Sequence, residues 1–157
     1  MATLASIFAI EENLSAAFKA VLLGYDATLT VFAAAVDELT QEDELSVPRV
    51  DLTVAVSGNT EYSTPNTDRF LGEFKATVSC RVATDRVRGQ DHKGIRSTVR
   101  AAIHTSTQAE WSAELPAYDV AKVEETSTSY SFDAENKLDF TELNFDILFR
   151  VQLAEWP

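Results

Sequence analysis

The sequence predicts an α+β fold: a mainly antiparallel sheet of four to five strands packed against one or two helices, in the order α-(β)-β-β-α-β-β. Three observations carry that prediction. From Glu73 to Val82 the chain alternates without exception, with Phe74, Ala76, Val78, Cys80 and Val82 apolar and the residues between them polar or charged. A strand sends successive side chains to opposite faces, so this segment buries one face and wets the other. The same period of two recurs at Val50, Leu52, Val54 and Val56, and again at Leu143, Phe145, Ile147, Phe149 and Val151. Two other stretches change to helical spacing: Ile7, Ile10, Leu14, Ala17, Phe18, Val21 and Leu22, and later Ile95, Val99, Ala102 and Ile103.

Taken in order, the first helix is expected from Leu4 to Leu23, with Gly24 as its stop. Thr28 to Val36 reads as a short strand on its β-branched and aromatic residues. Asp37 to Ser46 carries five acids and little apolar content, which makes it an exposed loop. Pro48 to Ser57 is the first clean strand, and proline suits its start because it cannot donate to a ladder. The segment 58–70 is long and polar for a hairpin connection, so it is either a protruding extension of the two strands or a loop. Leu71 to Ala83 is the best strand, and Thr84 to Gly89 turns the chain. A helix follows from Asp91 to Ser106, and Trp111, Leu115, Pro116 and Tyr118 lie in a connecting segment. Asp119 to Phe132 is rich in β-formers and poor in hydrophobes, as an edge strand with a solvated end would be. In the last strand, Leu138 to Leu153, the apolar parity changes from even to odd at Thr141 and Glu142, the mark of a β-bulge.

At 157 residues the chain fits one domain, 1–157. Its hydrophobic fraction of 45% is enough for a core. A single cysteine excludes an internal disulfide framework, and Cys80 lies on the apolar side of its strand as a small buried hydrophobe. No basic leader precedes the first apolar stretch, and no stretch approaches the length of a membrane span, so a soluble protein with no membrane partner is expected. The net charge of −12 is uneven: residues 1–45 carry −7, residues 46–110 carry +2, and residues 111–157 carry −7. Such acidity argues against wrapping nucleic acid, where phosphate neutralisation supplies most of the affinity.

No catalytic motif accompanies these elements. There is no Gly-x-Ser-x-Gly elbow, no phosphate-cradling glycine loop and no His-Glu-x-x-His helix. His92 and His104 are twelve residues apart, which is not a ligand spacing, and solvent-exposed histidines on a helix flank are expected. Glu124 and Glu125 alternate faces and so do not make an acid/base pair. The expected reading is a non-enzymatic protein with no cofactor and no metal site. Arg86, Arg88, Lys93, Arg96 and Arg100 form the one basic cluster. It lacks interleaved aromatics, so it is either a docking surface for an acidic neighbour or a solvated flank. Tyr62 and Arg69 in the 58–70 segment, and Asp43 and Glu44 in the acidic loop, are the other candidate contact residues.

The segments Val47–Val54, Phe74–Thr84, Ile95–His104 and Leu143–Val151, in that order, give the chain a likeness to a known family. It resembles the tail terminator (tail-completion, neck) proteins of long-tailed bacteriophages, which have an N-terminal helix, a hairpin, a helix packed on the sheet and a final pair of strands. The resemblance covers most of the chain and rests on element order. It implies a hexameric ring that caps the tail tube, contacts the tail-tube protein and the head–tail connector, and passes DNA through its lumen as non-specific cargo. It also implies a place in the virion tail or neck after assembly in the host bacterial cytoplasm. Another phage structural subunit, from the tail tube, minor tail or connector, fits the same pattern. A small enzyme with a site built from distant residues is the remaining alternative.

Overall fold

The computed structural model describes residues 3–4, 7–35, 37, 47–63 and 70–153, with side chains for 9–35, 37, 47–56 and 72–151. The chain is α+β. Its elements are β1 (Thr3–Leu4), α1 (Ile7–Tyr25), β2 (Val31–Ala33), β3 (Arg49–Ser63), β4 (Phe70–Asp85), α2 (His92–His104), α3 (Gln108–Glu114), β5 (Tyr118–Asp133) and β6 (Leu138–Leu153). They form one sheet in the order β2-β3-β4-β6, with β5 and β1 sharing the outer side of β6. The long pairs β3–β4, β4–β6 and β5–β6 are antiparallel, and the two short strands add in parallel. The strands run on into the 58–70 segment, β3 to Ser63 and β4 from Phe70. Among the described residues no helix is long and apolar enough to cross a membrane.

The alternation of the long strands decides which face the helices cover. Phe74, Ala76, Val78, Cys80 and Val82 of β4 are fully or almost fully buried, beside Leu143, Phe145, Ile147, Phe149 and Val151 of β6. Ile10, Leu14, Phe18 and Leu22 of α1 and Val99 and Ile103 of α2 join them in one cluster. Aromatic rings pack within each layer: Phe18 of α1 lies 4.8 Å from Trp111 of α3, and Phe149 of β6 lies 5.6 Å from Phe74 of β4 and 5.4 Å from Tyr118 of β5.

Several elements depart from the sequence expectation. The first helix begins at Ile7, not Leu4, because Thr3 and Leu4 pair with Gln152 and Leu153 where β5 has not reached the edge of β6. It runs through Gly24 to Tyr25. The Thr28–Val36 strand shortens to Val31–Ala33. A turn at Asp26 holds Thr28 by its backbone and hydroxyl, and the Asp37 carboxylate accepts the Ala33 N–H at 2.8 Å. Asp37 is therefore an anchor for the strand end, also paired with Lys19 at 2.8 Å, and not a free loop acid. The second helix is His92–His104, with Asp91 as its N-cap accepting from Gly94. The connecting segment after it holds a third helix. Thr107 caps α3 by accepting the Glu110 N–H, and Thr107-Gln108-Ala109-Glu110 is the Thr-x-x-Glu pattern of a helix start.

The bulge expected at Thr141 and Glu142 is absent. β6 keeps continuous register against β4 from Phe70↔Leu153 to Asp85↔Leu138. Irregularities lie in the neighbouring strands instead, after Val56 in β3 and after Val120 and Glu125 in β5. The parity change has another cause: Asp139 and Thr141 are polar residues on the buried row of β6, so that row starts polar and becomes apolar at Leu143.

Candidate interaction surfaces

The polar start of the buried row meets α2. His92, Arg96, Arg100 and His104 recur every four residues, which sets them on one side of the helix. That side faces β5 and β6. The His92 ring contacts the Thr84 hydroxyl through Nδ1 at 2.8 Å and the Thr141 hydroxyl through Nε2 at 2.6 Å. Both threonines are fully buried. A neutral imidazole carries one N–H and one lone pair, and two hydroxyls satisfy both. Burial depresses the His92 pKa below 6.5 and Arg96 adds to the effect, against the pull of Asp139. His92 is thus a bonded member of the sheet–helix junction and not a solvent-exposed histidine. His104 is exposed and bonds Glu125 at 3.0 Å.

Beside His92, Arg86 grips Asp139 with Nη2 at 2.7 Å and Nε at 3.2 Å, donates to the Tyr130 hydroxyl at 3.0 Å, and stacks 3.7 Å above the Phe132 ring. Tyr130 donates to the same carboxylate. The Arg86 and Tyr130 hydrogen bonds hold the Asp139 carboxyl below its ordinary range. One helical turn past Arg96, Arg100 makes the same kind of fork with Glu125 through Nε at 3.0 Å and Nη2 at 2.9 Å. Burial raises the Glu125 carboxyl, but bonds from Arg100, Thr128 and His104 outweigh it and leave its pKa lowered.

The basic cluster therefore divides. Arg86 and Arg100 each staple two elements of the chain, and their side chains remain 54% and 38% exposed. Arg96 is half-buried, and its Nε has no hydrogen-bond partner among the described residues. Arg88 is 71% exposed in its side chain and sits 3.5 Å from Asp85. Lys93 is exposed, with no ion pair among the described residues. Tyr62 lies in β3 opposite Leu71, and only its backbone is described. Arg69, Asp43 and Glu44 lie outside the described residues. Asp139, Thr141, Thr84 and Tyr130 were missed by sequence reasoning, although the parity change in β6 is the trace they leave.

The other face of the sheet carries no helix among the described residues, and its side chains pair across strands. Lys75 bridges Asp146 at 3.0 Å, Thr77 donates to Asp146 at 3.0 Å, Ser79 donates to Asn144 at 2.6 Å, and Arg150 donates to Glu73 at 3.1 Å. Arg81 lies 4.1 Å above Phe140. Both charge signs occur in this row, so it is a balanced ladder and not an acidic one.

Two sheet edges are open among the described residues. β2 pairs with β3 only from Val50 to Leu52, and β3 continues to Ser63 with no strand on that side. β5 runs from Tyr118 to Asp133 with β6 on one side and no strand on the other. The chemistry available elsewhere is limited. Cys80 is fully buried, and desolvation pushes its thiol far above the reactive range. Among the described residues no group of three or more His, Cys, Asp or Glu is placed to hold a metal. No known family model matches the chain, and no curated protein matches it.

Proposed function

We propose that this chain is a non-enzymatic virion subunit of a long-tailed phage. In this reading it is a tail terminator or neck protein that works by closing into a ring on the tail tube and offering a surface to the head–tail connector. The observation that carries the reading is the pair of open edges, β3 beyond Leu52 on one side of the sheet and β5 on the other. An open edge presents unpaired backbone donors and acceptors and is a template for another chain. Two different edges on one subunit favour a head-to-tail contact, which closes into a ring when its rotation closes. The α+β order and the helix-covered sheet add support through the family resemblance.

The test is the assembly state. Native mass measurement of the full chain, alone and with cognate tail tubes, should give a closed species near six times 17.3 kDa. Open-ended growth into tubes would transfer the chain to the tube-subunit reading. A monomer that also fails to bind tubes and connectors would end both readings.

A further inference from the structure

The turn between β4 and α2 displays an isolated apolar tip. Val87 is 78% exposed, the most exposed of the large hydrophobic residues described. The turn that carries it is tied from several directions. The Asp85 carboxylate accepts the Val87 N–H at 2.9 Å and the Arg88 N–H at 3.3 Å, and the Arg86 N–H donates to the Lys137 carbonyl at 3.0 Å. Gln90 Oε1 accepts the Asp85 N–H at 2.7 Å, and Gly89 closes the turn with φ +66°. Arg86 is clamped to Asp139, so the turn is pinned to β6 as well. A tip held this firmly loses little freedom on binding. Arg88 beside it, 3.5 Å from Asp85, and the exposed Lys93 in the first turn of α2 place two cations near the tip.

At the opposite end of α2 lies a depression of about 320 Å³ between the end of α1 and α3. Ala20, Val21, Tyr25 and Ala113 give it apolar walls, and Glu110 and Glu114 give it an acidic rim. Tyr25, 53% exposed, is another of the few large exposed hydrophobics. Gly24, also lining it, is exposed, and a Cβ built there meets nothing within 4 Å. An apolar tip flanked by Arg88 and Lys93 and an apolar groove rimmed by Glu110 and Glu114 complement each other in polarity and charge. Because they sit at opposite ends of one helix, a subunit cannot fill its own groove with its own tip.

We infer that the groove formed by the end of α1 and α3 receives the Val87 turn of a second copy of this chain, with Arg88 and Lys93 facing Glu110 and Glu114. The contact is head-to-tail, as a ring requires. It rests on the proposed ring function and adds to it a residue-level interface separate from the sheet edges.

Two measurements on the full chain test it. In the first, V87C and A113C proteins are mixed and oxidised by dioxygen with a copper catalyst; the buried Cys80 stays out of the reaction. A disulfide-linked pair is expected in the mixture and from neither protein alone. In the second, G24L adds a side chain at a groove position where a Cβ has room, and sedimentation should show self-association weakened at least about tenfold while thermal stability is not lowered. Oligomers that form without the mixed link, a V87C protein that links to itself, or a G24L protein that assembles normally would each overturn this interface and leave the ring reading standing. No oligomer under any condition, including on cognate tubes, would overturn both.

Discussion

The two ends of the helix-covered sheet face are built by opposite means. At one end Phe74, Phe145 and Phe149 share one buried apolar cluster with α1 residues and Tyr118, with Phe149 against Phe74 and Tyr118 and no polar partner needed. At the other, Thr84, Thr141 and Asp139 occupy the same buried rows and are matched to His92, Arg86 and Tyr130 by directional bonds. Dispersion and burial are graded and tolerate adjustment, whereas a buried donor without its acceptor is costly. The apolar end therefore supplies most of the stability. The polar end fixes where the β4–α2 turn and α2 sit on the sheet, and with them the surfaces at the two ends of α2.

Substitutions at the two ends should separate these roles. Phe149→Ala removes a fully buried ring that touches two other aromatics, and chemical denaturation should show a loss of about 3–5 kcal/mol. Thr141→Val keeps the shape and removes the hydroxyl that satisfies His92 Nε2, with an expected loss of about 1–2 kcal/mol. Its amide exchange should accelerate near the α2 start more than under α1. Arg100→Ala breaks the fork with Glu125, which is partly solvated, and the expected loss is about 0.5–1 kcal/mol. If Arg100→Ala instead abolished assembly with folding intact, the α2 flank would be a docking surface and the distinction between staple and surface would fail.

The smallest effect is the dependence on pH. The folded-state pKa of His92 lies below 6.5, so the unfolded chain binds more protons between those values. Stability from this group is complete above pH 6.5 and is lost as pH falls through 6.5 toward the lowered pKa, then levels. Asp139 and Glu125, also lowered, add a second loss at more acidic pH. Denaturation midpoints across pH should show both steps, and His92→Gln should remove the first and leave the second.

The contrast between the two ends also explains what was legible in the sequence. β3, β4 and most of β6 could be read because one face is apolar and the period is two. α2 could be read from Ile95, Val99 and Ile103. β1 could not, since two residues carry no period and their pairing depends on where β5 stops. The Thr-x-x-Glu start of α3 was in plain view, but seven residues with one buried aromatic do not make a stripe. At the polar end, tertiary pairing reverses the usual meaning of the pattern. Asp139 and Thr141 face inward because Arg86, Tyr130 and His92 meet them there, and two of these partners, Arg86 and His92, lie 53 and 49 residues away along the chain. The intrachain partners of Arg86 and Arg100 were hidden for the same reason, since Asp139 and Glu125 reach them only after β5 and β6 have folded.

The function proposed for this chain is self-association into a closed ring. Electron microscopy of this chain mixed with cognate tail tubes tests it most directly. The account predicts single rings of constant diameter seated at one end of each tube, with no further growth. Tubes with bare ends and only monomers in the background would contradict it.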